Sequence, residues 1–124
     1  MGFILFLVAN LLFLPLTVLN VLAVLYKNIK VYGFLNVINI YFKQTALDLD
    51  RFANHNFRTL WNTVLITKDG YQFGLIQETI SSALGKNQVK QTLTTTGKIL
   101  CFILNTLDNN HCINSIDNTI KPLK

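Results

Sequence analysis

The sequence predicts an all-α fold, with one N-terminal transmembrane helix followed by a small bundle of amphipathic helices. Three observations carry that expectation. Residues 2–26 hold no charged side chain and stop against Lys27 and Lys30. Apolar residues make up 51% of the chain and charged residues 14%, where an ordinary soluble domain has ~25% charge. Beyond the first stretch, apolar positions recur at spacings of three and four, the helical period. A chain of 124 residues leaves room for one small core once a span is set aside. The expected organisation is an anchor over 1–30, a helical module over 31–120 and a flexible tail over 121–124.

At ~1.5 Å per residue, residues 2–26 cover a ~30 Å hydrocarbon core with some tilt to spare. No Lys or Arg precedes the run, and it exceeds the ~7 to 15 apolar residues of a signal peptide. An uncleaved anchor is expected. A bilayer helix tolerates Pro15 with a kink, and Asn10 and Asn20 prefer a helical neighbour over lipid, a hint of self-association. Phe6 stands where myristoylation requires Ser or Thr. Lys27, Lys30 and Lys43 all follow the span, so the positive-inside tendency places the amino terminus outside and the module in the cytoplasm.

Residues 31–42 are apolar but too short to cross a membrane. Past Gly33, a stripe of Ile38, Phe42, Ala46, Leu49, Ala53, Phe57, Leu60 and Val64 predicts one amphipathic helix over 38–64. Gln44, Arg51, His55, Arg58 and Asn62 occupy the opposite face. The expected place for the stripe is the module's own core, and the competing place is the membrane interface. Residues suited to that interface are Lys27, Lys30, Tyr41, Lys43, Arg51, Arg58 and Trp61.

Lys68-Asp69-Gly70 marks a turn, and residues 71–74 continue as loop. Residues 75–84 read as a short helix closed by Gly85, with Glu78 in its first turn where the helix dipole favours an acid. Residues 87–96 read as a connecting loop, with Thr96 as N-cap of a third amphipathic helix over 97–107. Ile99, Leu100, Ile103, Leu104 and Leu107 line one side of it. Asp108-Asn109-Asn110 ends that helix, and a final short helix is expected within 111–118.

The net charge of +5 suits anionic lipid. It does not point to nucleic acid, because the basic residues are scattered singly and no binding fingerprint accompanies them. Cys101 and Cys112 are too few for a disulfide framework and read as free, buried thiols. Cys101, His111, Cys112 and His55 lack the paired spacing of a zinc site, so neither metal nor cofactor is expected. No G-x-S-x-G, H-E-x-x-H or Gly-rich phosphate loop occurs, so the reading is that of a protein without enzymatic activity. A Cys-His nucleophile is the competing chemistry; it would rest on Cys112, since burial makes Cys101 inert.

The polar residues singled out are Glu78, Ser81, Ser82, His111 and Cys112, beside Asp48, Asp50 and His55. Glu78-Thr79-Ile80-Ser81-Ser82, then Gly85-Lys86, then Leu107-Asp108 and His111-Cys112, resemble the pattern of small uncharacterised membrane-associated proteins of tailed phages and prophages. In these, an apolar opening and an Asp- and Asn-bearing stretch precede an E-T-[IL]-S-S box and a terminal His-Cys. The likeness runs from about Ala46 to Ile116. Gln77 stands where the pattern commonly has a second acid, so no paired-acid role follows. The resemblance implies a phage origin and a helical module in which Glu78, Ser81, His111 and Cys112 meet. The resulting expectation is a non-catalytic interaction module at the host inner membrane, serving lysis support, superinfection exclusion or host-factor binding. Its partners would be the bilayer, further copies of itself, or a host or phage protein. The alternative is a virion or ejected component whose apolar helix packs in an assembly.

Overall fold

The structure is a computed structural model that describes residues 1–120; the tail expected over 121–124 lies outside the described residues. Six helices follow in order: α1 Gly2–Tyr32, α2 Phe34–Asn56, α3 Arg58–Val64, α4 Ile80–Lys90, α5 Thr95–Leu107 and α6 His111–Asn114. No strand occurs among the described residues, and one antiparallel bridge joins Ile66 to Leu93. The fold is all-α. Contacts divide the chain into two compact units, residues 1–46 and residues 47 onward.

In the first unit, α1 runs unbroken through Pro15 and has no buried residue. It is the one helix among the described residues long and apolar enough to cross a membrane. A helix that is apolar all round and uncovered by protein is suited to lipid. Gly33 ends it at φ 79°, donating its N–H to Ile29 O at 3.0 Å. A side chain would be strained in that conformation, and the chain turns there from α1 into α2. The Gly33 carbonyl then accepts from Val37 N at 3.1 Å to open α2. Val24, Asn28 and Tyr32 of α1 and Val37, Ile40 and Tyr41 of α2 line a cleft between the two helices. Asn20 donates to the Tyr41 hydroxyl at 3.2 Å and Asn10 donates to Phe6 O at 2.7 Å. Both amides expected to seek a neighbouring helix are thus engaged within the chain.

The second unit is built around Leu65, Phe73, Ala83, Leu84, Cys101 and Cys112, all at most 3% exposed. Helices α4, α5 and α6 pack together beneath the long irregular segment between α3 and α4. Two asparagines hold that segment's backbone as a ladder partner would. Asn62 accepts from Phe73 N at 2.7 Å and donates to Phe73 O at 3.1 Å; Asn87 does the same to Tyr71 at 2.7 and 2.9 Å. Each pair satisfies a peptide group with no helical partner, a requirement for buried backbone.

Several expected boundaries are corrected. The helix read over 38–64 is two helices, broken at Phe57. Its stripe does not line the core: Leu49, Phe57 and Leu60 are 45–52% exposed, while Asn54, off the stripe, is fully buried. Only Val64 and Trp61 of this stretch pack against the core cluster. The helix read over 75–84 begins later, at Ile80, and runs on to Lys90 through Gly85. Residues 87–90 are therefore helix and not loop. Gly85 is no stop; it lies where α4 touches α6. Thr94, not Thr96, caps α5, accepting from Gly97 N at 3.2 Å. That cap is fixed from outside, because Thr94 Oγ1 also donates to Val64 O at 2.6 Å beside the Ile66–Leu93 bridge. On α5, Leu100, Cys101 and Leu104 face the core, whereas Ile99, Ile103 and Leu107 are 50–80% exposed. The last helix is a single turn, His111–Asn114.

Candidate functional site

The site is built from the residues before and within the first two turns of α4. Thr79 is the N-cap, its hydroxyl accepting from Ser82 N at 3.1 Å. Glu78 therefore precedes the helix and does not sit in its first turn. Its position just outside the cap turns the carboxylate inward, where its side chain is wholly buried. Glu78 Oε1 meets Lys86 Nζ at 2.6 Å and accepts from Ser82 Oγ at 2.7 Å, and Oε2 accepts from the Tyr71 hydroxyl at 2.7 Å. Lys86 also donates to Tyr71 Oη at 3.2 Å and to Ile120 O at 3.3 Å, and its ammonium lies 4.5 Å from the Tyr71 ring centroid. Burial first, and the Glu78 carboxylate second, push the Tyr71 phenol above its ordinary value, so it stays a donor at neutral pH. Ser82 Oγ in turn accepts from Asp117 N at 2.9 Å. Every oxygen of this buried acid has a partner, the condition under which such a charge is tolerated.

A second group lies on the same turn. His111 Nε2 is 3.1 Å from Ser81 Oγ and Nδ1 is 3.3 Å from Asp108 Oδ2. With Nδ1 protonated, the ring donates to the carboxylate and accepts from the hydroxyl. Serine, imidazole and carboxylate follow in the order of a hydrolytic relay. The surroundings favour another role, because Ser81 is 6% exposed while the Asp108 side chain is 73% exposed and solvated. The arrangement clasps α6 to α4.

Cys112 belongs to neither group. Its thiol lies 3.9 Å from Cys101 O, its N–H donates to Asn105 Oδ1 at 3.2 Å, and both cysteines are free and buried. Burial, then the Cys101 neighbour, pushes the Cys112 thiol up to about 12, so it is protonated at neutral pH and a poor nucleophile. The five residues singled out in the sequence thus form two bonded pairs, Glu78 with Ser82 and Ser81 with His111, and Cys112 faces α5. Among the described residues, no three His, Cys, Asp or Glu side chains group as a metal site.

Of the residues read as interfacial, Lys27, Lys30 and Lys43 are exposed and Tyr41 is half-buried against α1. Arg58 donates to His55 O at 2.8 Å, and His55 Nδ1 meets Gly74 O at 2.8 Å. Arg51, 3.6 Å from Asp48, is half-buried, and Trp61 packs on the core with its indole N–H on Ala53 O at 3.1 Å.

Two residues that shape the site, Tyr71 and Asn54, were missed in the sequence, whereas Asp50 was singled out without its partner. Tyr71 was read as loop, and Asn54 donates to Leu75 O at 3.1 Å and Glu78 O at 2.8 Å, holding the approach to the cap. Asp50 accepts from Ile80 N at 2.7 Å, tying α2 to the start of α4. Burial raises the Asp50 pKa, opposed by the Ile80 N–H, His111 and Arg51. A raised folded-state value makes a stabilising contribution below the ordinary carboxylate range, and it is lost as pH rises through the raised value. Asp50→Asn keeps an acceptor for Ile80 N and removes the half-buried charge. The expected result is a higher urea midpoint than the parent at pH 7, with the gap closing as pH falls below ~4. A lower midpoint at pH 7 would show that the ionised carboxylate is a net asset.

No family model, curated protein or solved structure matches this chain.

Proposed function

We propose that the chain is a phage-encoded, single-pass membrane protein presenting a non-catalytic interaction module at the host inner membrane. The amino terminus lies outside and the module in the cytoplasm. The observation that carries this reading is the contrast between α1, apolar and without a buried residue, and a second unit in which Glu78, Lys86, Ser82, Ser81 and His111 are engaged with one another. Ser81, Ser82 and Cys112 are each 6% exposed or less, which leaves little access for a substrate. Orientation follows from Lys27, Lys30 and Lys43, which all lie after the apolar stretch. Residues 47–120 carry six Lys and Arg against six Asp and Glu, so the basic excess sits beside the span and in the final residues. The module therefore engages its partner through apolar area more than through charge. The exposed face of α5, with Ile99, Phe102, Ile103 and Leu107, supplies such area for a host or phage protein. Lysis support, exclusion of a second phage and capture of a host factor are the roles this arrangement suits.

The test uses Lys68→Cys, placed on an exposed residue, because both native thiols are buried. In expressing cells, a membrane-impermeant maleimide should label the variant only after permeabilisation, and the protein should resist carbonate extraction. Unsubstituted protein should stay unlabelled until denatured. Release by carbonate would remove the anchor, labelling of intact cells would invert the topology, and recovery in purified particles would select the virion role instead.

A further inference from the structure

We propose that the first turns of α2 are seated in the headgroup–acyl boundary of the bilayer beside the end of α1, with the face that carries Leu35 and Phe42 turned to lipid. The proposal rests on reading α1 as a span and concerns residues 1–46 alone. It begins from a polar contact at depth.

If Lys27 marks the membrane surface, Asn20 lies seven residues further in, ~10 Å along the helix axis. An amide there needs a partner, and its partner is the Tyr41 hydroxyl at 3.2 Å. Tyr41 also lines a second cleft with Leu16, Thr17 and Asn20 of α1. Tyr41 is thereby held beside the part of α1 that the bilayer surrounds. Its packed side is marked by Val37, 4% exposed in the cleft with α1.

Leu35 and Phe42 are two turns apart on another face of the same helix, and they are 79% and 53% exposed. An interfacial helix sinks its apolar side ~5–10 Å into the headgroup and acyl boundary, the depth that Asn20 sets for Tyr41. Lys43, next in sequence and exposed, has a stem long enough to carry its charge back to the headgroups. The 12-residue apolar run at 31–42, too short to cross, is long enough to lie in that layer. Because this surface continues from the span itself, the occupant is lipid and not a second copy.

The full chain would be reconstituted in phosphatidylcholine vesicles with a bimane label at Phe42→Cys, Leu12→Cys or Lys68→Cys, one site per preparation. Quenching by lipids bearing a nitroxide on the acyl chain would be compared with quenching by aqueous iodide. The expected result is severalfold stronger lipid quenching at positions 12 and 42 than at 68, with iodide showing the reverse order. Lipid quenching at 12 with iodide quenching at 42 would overturn the proposal and leave the span standing. Protection of position 42 from both quenchers would overturn it in favour of a protein cover, such as a second copy. Loss of lipid quenching at position 12 would remove the span reading and this proposal together.

Discussion

Glu78→Ala is expected to destabilise the second unit by about 3–5 kcal/mol, the usual loss when one partner of a buried ion pair is removed. A unit of this size has a total stability of about 4–11 kcal/mol, so the variant should be largely unfolded or on the edge of unfolding. The reason lies in what stays behind: Lys86, with a side chain 13% exposed, loses its 2.6 Å partner, while Tyr71 and Ser82 lose the acceptor of their hydroxyls. Lys86→Met should be damaging for the converse reason, leaving a wholly buried carboxylate with two neutral donors. Combining Glu78→Ala with Lys86→Met removes both charges, and its cost should fall short of the sum of the two single changes by about 0.5–3 kcal/mol. Urea unfolding of the full chain in detergent, followed by the fluorescence of Trp61, the single tryptophan, measures all three. Additive losses, or single losses below about 1 kcal/mol, would show that the pair is solvated and unimportant to the fold.

This network was only half legible in the sequence. Glu78, Ser81, Ser82 and His111 stood out as polar residues in an apolar chain, and an acid near a helix start has an obvious local role. What redirected Glu78 was a shift of the helix start to Ile80, fixed by the Thr79 cap and by Asp50 thirty residues away. No local signal carries a contact of that range. The long apolar helix was legible because twenty-five residues without a charge leave few alternatives. The stripe over 38–64 was legible as a stripe but not in what covers it. Periodicity reports that a face is apolar, and it does not say whether a core or another surface covers that face. Here the core took Asn54, whose amide holds two carbonyls of an irregular segment, and left Leu49 and Phe57 outside. Asparagines that substitute for backbone partners read in sequence as loop residues or as the polar face of a helix, so Asn62 and Asn87 gave no warning of their role.

Gly85 shows how the same residue supports opposite expectations. In an exposed helix, Gly→Ala is stabilising by about 1 kcal/mol, because alanine restricts the unfolded chain and favours the helix. At Gly85 a Cβ would meet the Cys112 carbonyl oxygen at 2.0 Å and Ile116 Cγ1 at 2.7 Å. The first of these is backbone and cannot rotate away, so α6 must move off α4. That movement would strain the His111–Ser81 bond and the packing of Cys112, which is fully buried. Overpacking of this kind costs typically 1–3 kcal/mol, occasionally more, and with backbone as the obstacle the loss should sit near the top of that range, about 3 kcal/mol. Val89→Ala on the same helix is the control. Val89 is 63% exposed, so that change should be neutral or stabilising by a few tenths of a kcal/mol. A thermal melt in which Gly85→Ala falls well below the parent while Val89→Ala does not would assign the loss to the α4–α6 contact. If Gly85→Ala melts higher than the parent, α4 accommodates a Cβ against the Cys112 carbonyl and the glycine is not required there. The close approach also accounts for the misplaced helix end, since a glycine after the ten helix-like residues 75–84 looks like a stop, whereas its role is to let another backbone through.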